Sequence, residues 1–229
     1  MTPAQRRAGA WLAAVRRSAG LTQAAAARRA GITSRAWQAV EAGHRTTPLT
    51  LVRIVDVLDL DDTAMRHLDR LHRPPYAAPA PLEPAHLSLL VAGLTVPAWV
   101  VDPAWTVLSA SPIAAPTVHN LALWAIQIRT LWDDWPTVAG QLVARTRSVT
   151  SWYADPGQTV RDVVAALCAA SSAATAVWSA GRVDDTPHHE VVGLAGTAIT
   201  VQWAWLGGDP SARLVMITDI DGRSPVLSS

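Results

Sequence analysis

The chain of 229 residues has a single cysteine, Cys168, so no internal disulfide can form and the fold must close without covalent staples. That suits a reducing cytoplasm, the compartment expected for it. Phenylalanine is absent and tyrosine occurs twice, which leaves nearly all aromatic bulk to eleven tryptophans. Lysine is absent too; all nineteen basic side chains are arginine. Met1 to Arg7 lacks the apolar core of a signal peptide. The longest apolar stretch, Leu87 to Val101, is too short to span a bilayer and contains Pro97. Val160 to Trp178 carries Arg161 and Asp162. No membrane partner is expected.

Catalytic signatures are equally scarce. There is no glycine-rich phosphate loop, no G-x-S-x-G elbow and no paired zinc-ligand motif. His188 and His189 are adjacent, and neighbours in a strand point to opposite faces, so they are poorly placed to share a metal. The acidic pairs Asp133-Asp134 and Asp184-Asp185 read as helix caps or loop charge. No cofactor is expected, and the chain does not read as an enzyme.

What is present is an uneven charge. Residues 1–58 hold nine arginines against Glu41 and Asp56, a net +7, whereas residues 59–229 hold ten against sixteen acids, a net −6. An anionic partner for the first part follows, unless the basic surface is simply solvated.

Three regions emerge. Residues 1–72 read as five short helices, residues 73–84 as a linker with five prolines, and residues 85–229 as a second domain. The first helix runs from Arg6 to Ala19, with Trp11, Leu12 and Val15 on one face, and Gly20 ends it. Thr22 caps a second from Gln23 to Ala30, which Gly31 stops. Thr33 caps a third, running to Ala42 and ended by Gly43. Pro48 opens a fourth, to Leu58, with Leu51, Ile54, Val55 and Leu58 facing inward. Asp61 or Asp62 caps the fifth.

In the second domain, Ala98–Asp102 and Trp105–Ser109 read as strands. Asn120–Leu131, Trp135–Val149, Thr159–Ala170 and Ser171–Ala180 read as helices. Glu190–Gly193, Thr197–Leu206 and Arg213–Asp219 read as strands, with a turn at Gly207 to Pro210. Along the second of these, Ile199, Val201, Trp203 and Trp205 share one face. Strands at both ends with helices between them predict an α+β domain, its helices gathered on one side of a sheet.

The segment from Leu21 to Gly43, LTQAAAARRAGITSRAWQAVEAG, resembles the helix-turn-helix of the XRE/Cro/repressor family, as does the flanking chain over residues 6–60. Ala27 is small where two helices must cross, Gly31 makes the turn, and Ile32, Trp37 and Val40 plug the core. Ser34, Arg35, Gln38 and Ala39 remain on the outer face, which in this family enters the major groove of double-stranded DNA. The resemblance implies base-reading roles for Thr33, Ser34, Arg35 and Gln38, since Arg can fork to guanine and Gln can pair with adenine. It implies phosphate contacts for Gln23, for the helix start capped by Thr22, and for His44, Arg45 and Thr46. One helix-turn-helix reads one half-site, so a homodimer is expected.

Pro97 to Asp102, Trp105 to Pro112, Asn120-Leu121-Ala122, Asp134-Trp135, Val163 to Trp178, His189 to Gly193 and Arg213 to Thr218 are similar, in order and spacing, to the MmyB-like ligand-binding domain of many actinobacterial regulators. That domain implies a PAS-like fold and a small apolar ligand such as a fatty acid. Ala110 and Ser111 stand where that family often has an aromatic and an asparagine. Nine of the eleven tryptophans lie beyond the linker. They can be core, or they can line a pocket. The candidate ligand-contacting residues are Trp99, Val101, Trp105, Val107, Trp124, Ile128, Trp178, Val201, Trp203 and Trp205.

The expectation is therefore a sequence-specific transcriptional regulator that senses a small apolar ligand. The alternative is a DNA-tethered adaptor that pairs with another protein and holds no ligand. A void-free core favours the adaptor, an apolar cavity the sensor.

Overall fold

The computed structural model describes residues 3–72, 84–153, 155, 157–185, 188–206 and 212–219. The proline-rich stretch 73–83, the Gly207–Pro210 turn and the side chains of His188 and His189 lie outside the described residues.

Five helices build the first domain: α1 (Pro3–Ser18), α2 (Gln23–Arg29), α3 (Ser34–Glu41), α4 (Pro48–Val57) and α5 (Asp62–His72). Their starts follow from local chemistry. Thr22, Thr33 and Thr47 each accept a hydrogen bond from the backbone N–H three residues on, satisfying a donor that a helix start leaves free. Asp61 does the same for Ala64 at 2.7 Å, which settles the cap of α5. Gly31 sits at φ +62° between α2 and α3, a backbone conformation costly for any residue with a Cβ. Ala26, Ala27, Trp37, Val40, Ile54, Leu58, Leu68 and Leu71 close around Ala8, Trp11 and Leu12. One requirement is invisible in the pattern of caps. A Cβ on Gly9 would lie 2.2 Å from the Glu41 carbonyl oxygen, so α1 and α3 cross at a distance only glycine permits.

The second domain contains α6 (Pro84–Ala92), β1 (Ala98–Val101), β2 (Val107–Ala110), α7 (Leu121–Gln127), α8 (Trp135–Thr150), α9 (Gln158–Ala170), α10 (Ser172–Ser179), β3 (His188–Leu194), β4 (Thr197–Trp205) and β5 (Arg213–Asp219). The strands form one antiparallel sheet in the order β2-β1-β5-β4-β3. The α+β class is as expected. Trp99, Val101, Ile199, Trp203, Val215 and Ile217 face α7 to α10 and make the main core with them.

Three expectations are corrected. Helix α6 was not foreseen, and it packs Leu87 and Val91 on Val100 and Ala212, on the other face of the sheet. The helices are thus not all on one side. Sequence gives no sign of α6 because its apolar residues are not gathered on one face: Leu89 and Leu90 are exposed while Leu87 and Val91 are buried, so no periodicity marks it. The second strand starts at Val107, not Trp105. Trp105 takes φ +67° in the preceding turn, and Asp102 Oδ1 accepts from the N–H of both Ala104 and Thr106 to hold that turn. Helix α7 ends at Gln127 rather than Leu131, where the chain turns so that Trp132 bridges to Leu194.

Candidate nucleic-acid interface and ligand pocket

Helix α3 has two unlike faces. Trp37 and Val40 point into the core, and Trp37 is only 1% exposed. Thr33, Ser34, Arg35 and Gln38 are exposed on the opposite side, with Thr22 exposed at the start of α2 and His44 and Arg45 exposed just past α3. Thr46 is half-buried. Arg53 of α4 donates to the Gly31 carbonyl oxygen at 3.3 Å and braces the turn from outside.

Behind that face lies a polar hub that sequence reasoning missed. The Glu41 carboxylate accepts from Arg16 Nε at 2.6 Å and Nη2 at 3.2 Å, from Gln23 Nε2 at 2.7 Å and from Trp37 Nε1 at 2.6 Å. One side chain therefore ties α1, α2 and α3 together. Burial acts to raise its pKa, but the hydrogen bonds from Arg16, Gln23 and Trp37 and the charge of Arg16 outweigh it, so the carboxyl sits below its ordinary range. Gln23, expected at a phosphate, has its amide nitrogen committed to Glu41. Glu41 closes the recognised motif, yet two of its three partners, Arg16 and Gln23, lie 25 and 18 residues away in sequence.

In the second domain a small cavity of about 60 Å³ opens between α7, α8 and the sheet. Of the ten candidate ligand-contacting residues, Trp105, Trp124, Val201 and Trp203 line it, together with Trp132, Leu142 and Ile217. Its polar end is Arg145 and Glu190. Arg145 donates to Asp184 Oδ2 at 3.0 Å and Glu190 Oε1 at 2.9 Å, with its guanidinium 5.1 Å from the Trp203 ring centre. The other candidates do not line the cavity. Trp99 is buried beside Trp124, ring centres 6.1 Å apart, and Val101 is buried in the core. Val107 and Ile128 are half-buried against that core. Trp205 packs edge-on to Trp203 and, with Trp105, sandwiches the fully buried Arg213. Burial above all, then repulsion from Arg145, lowers the Arg213 pKa to about 9. Trp178 stacks under Arg147, away from the cavity.

A helix-turn-helix domain family matches residues 7–68, and a family described as the MmyB-like transcription regulator ligand binding domain matches residues 82–219, more than half of the chain. The chain belongs to the MmyB-like transcription regulators. No curated protein matches it. The regulator thus joins a DNA-binding helix-turn-helix domain to a ligand-binding domain. Among the described residues no helix is long and apolar enough to cross a membrane, and no group of three or more His, Cys, Asp or Glu could hold a metal.

The two domains of the regulator are bolted together. Arg7 donates to the carbonyl oxygens of Thr150 at 2.7 Å and Tyr153 at 2.5 Å, and Trp11 Nε1 donates to the Gly181 oxygen at 2.7 Å. Asp185 takes Arg66 at 3.1 Å and Arg70 at 2.5 Å, and Arg70 also reaches Ser151 Oγ at 3.0 Å. His67 is 2% exposed in this seam, its ring centre 5.1 Å from that of Trp11. Burial first, then the charges of Arg70, Arg147 and Arg7, hold its imidazole neutral, with a pKa well below the usual value. The docking residues come from α1 and α5, so the exposed side of α3 is not spent on it.

Proposed function

We propose that the regulator reads double-stranded DNA as a homodimer, that Thr33, Ser34, Arg35 and Gln38 reach base edges, and that a small apolar, fatty-acid-like ligand in the second domain sets how well it does so. The observation that carries the DNA reading is the two-faced α3: its apolar side is spent on the core, and its polar side is left outward on a domain rich in arginine. Thr22, His44, Arg45 and Thr46 flank that side at positions suited to phosphates, and Gln23 supports it from behind through Glu41. One α3 covers one half-site, which is the reason for a dimer. Selecting bound fragments from random duplexes, then repeating with Arg35→Ala, tests this. Specificity is expected to relax at one base position per half-site, costing about 1–3 kcal/mol there. An unchanged selection removes Arg35 from the reading set.

The apolar cavity with one polar end supports a sensor. Its size favours the adaptor instead, because 60 Å³ is far below the roughly 300–1,000 Å³ of ordinary ligand sites. A fatty acid has to part the tryptophans to enter. A melting temperature that rises with added medium-chain fatty acid supports the sensor, since a ligand that binds only the folded state stabilises it by mass action. No shift with any apolar compound supports the adaptor.

A further inference from the structure

We propose that Arg145 is the ligand-recognising residue that couples the cavity to the DNA-binding domain, through the strap of chain from Gly181 to Asp185. The proposal rests on the sensor reading given above. Among the described residues Arg145 is the one cation lining the cavity, and its side chain is 4% exposed. Burying a guanidinium is costly unless an anion offsets it, and at Arg145 Asp184 and Glu190 do so. The next residue after Asp184 is Asp185, whose side chain is 6% exposed and holds Arg66 and Arg70 of α5. At the other end of the strap, Gly181 holds Trp11 of α1. One five-residue segment therefore touches the cavity's cation on one side and both docking helices on the other.

A ligand with an anionic head brings a third carboxylate to Arg145. Three carboxylates around one guanidinium repel, and one must leave. Asp184 leaves most cheaply, because its side chain is 24% exposed and water can solvate it, whereas that of Glu190 is 15% exposed. Once its carboxylate is released, the strap keeps the Asp184 N–H on the Ala144 carbonyl oxygen at 3.3 Å but loses the charged anchor next to Asp185, and the aim of Asp185 at Arg66 and Arg70 slackens. The ligand thus loosens the grip on the DNA-binding domain and weakens DNA binding by the docked form. Coupling is reciprocal, so DNA weakens the ligand by the same factor.

The test uses the full chain, its selected duplex, and decanoate with decanol as the uncharged control, binding being followed by tryptophan fluorescence. In the wild type, decanoate is expected to raise the DNA Kd about tenfold, within the usual range of coupling, while decanol leaves it unchanged. Arg145→Gln is expected to weaken decanoate at least about tenfold and decanol little, because the apolar wall is untouched. Asp185→Asn is expected to bind decanoate as before, with a DNA Kd that no longer responds. Arg66→Ala, at a half-exposed side chain, is the second seam variant should Asp185→Asn fold poorly, and is expected to blunt the response. If decanoate binds and both seam variants still respond fully, the strap is not the route, and the sensor reading stands. If neither compound binds the wild type, the sensor reading falls and takes the coupling with it.

Discussion

Replacing Glu41 with glutamine is the sharpest perturbation the helix-turn-helix domain offers. The change keeps the shape and removes the charge. The side chains of Arg16 and Glu41 are 10% and 7% exposed, so Arg16 would be left almost buried without its counter-ion. The new amide group also brings donors to a place where Arg16, Gln23 and Trp37 already donate. Breaking a buried pair by removing one partner costs about 3–5 kcal/mol. Some water reaches this pair and glutamine keeps one acceptor, so the expected loss is about 3 kcal/mol, a large part of the 5–15 kcal/mol a domain usually has. Urea unfolding followed by helical circular dichroism measures it: the midpoint should fall with an unchanged slope. The acid limb should change as well. A carboxyl with a lowered folded pKa contributes stability that is present above the unfolded value of about 4.3 and lost as pH falls through the folded one, and Glu41→Gln should lack that loss. The double variant Arg16→Met with Glu41→Leu should recover most of the stability, because no lone buried charge remains. A loss below about 0.5 kcal/mol for Glu41→Gln refutes the hub as a stabilising element.

Gly9→Ala should destabilise the same domain by about 2 kcal/mol or more, since its Cβ would meet backbone atoms of Glu41 and Gly43 rather than a yielding side chain; a change within about 0.5 kcal/mol in the same urea experiment overturns the close-crossing argument. His67 should make stability fall as pH drops below about 6.5, because the unfolded imidazole takes a proton that the buried one refuses. Unfolding midpoints at pH 7.5, 6.5 and 5.5 should show that slope in the wild type and a flatter one in His67→Gln.

How much of this was written in the sequence depends on range. The helices of the first domain were legible because their signals are local: Thr22 and Thr33 cap within three residues, and Gly31 punctuates between them. The buried side of α3 followed from the spacing of Trp37 and Val40. Gly9 and the Arg16–Glu41 pair were not legible, since both depend on how closely α1 crosses α3. In the second domain the alternation along β4 identified the face that carries Val201 and Trp203, but not which part of that face the cavity touches, so Trp205 was expected beside it and lies instead against Arg213. Trp105 looked like a strand residue because bulky aromatics favour strands; its left-handed turn is imposed by Asp102. Nothing in the sequence singles out Arg145, because Asp184 and Glu190 are 39 and 45 residues away. Helix α6 carried no period to read.

The bolts between the domains have a consequence for anyone wishing to retarget the molecule. Arg7, Trp11, Arg66 and Arg70 mount the DNA-binding unit on its neighbour, and none of them lies on α3. If α3 reads bases as proposed, positions 34, 35 and 38 are the ones to rewrite for a new operator, and the chassis stays intact. A transplanted helix-turn-helix from another repressor, by contrast, lacks those four anchors and needs them added before the proposed coupling can reach it.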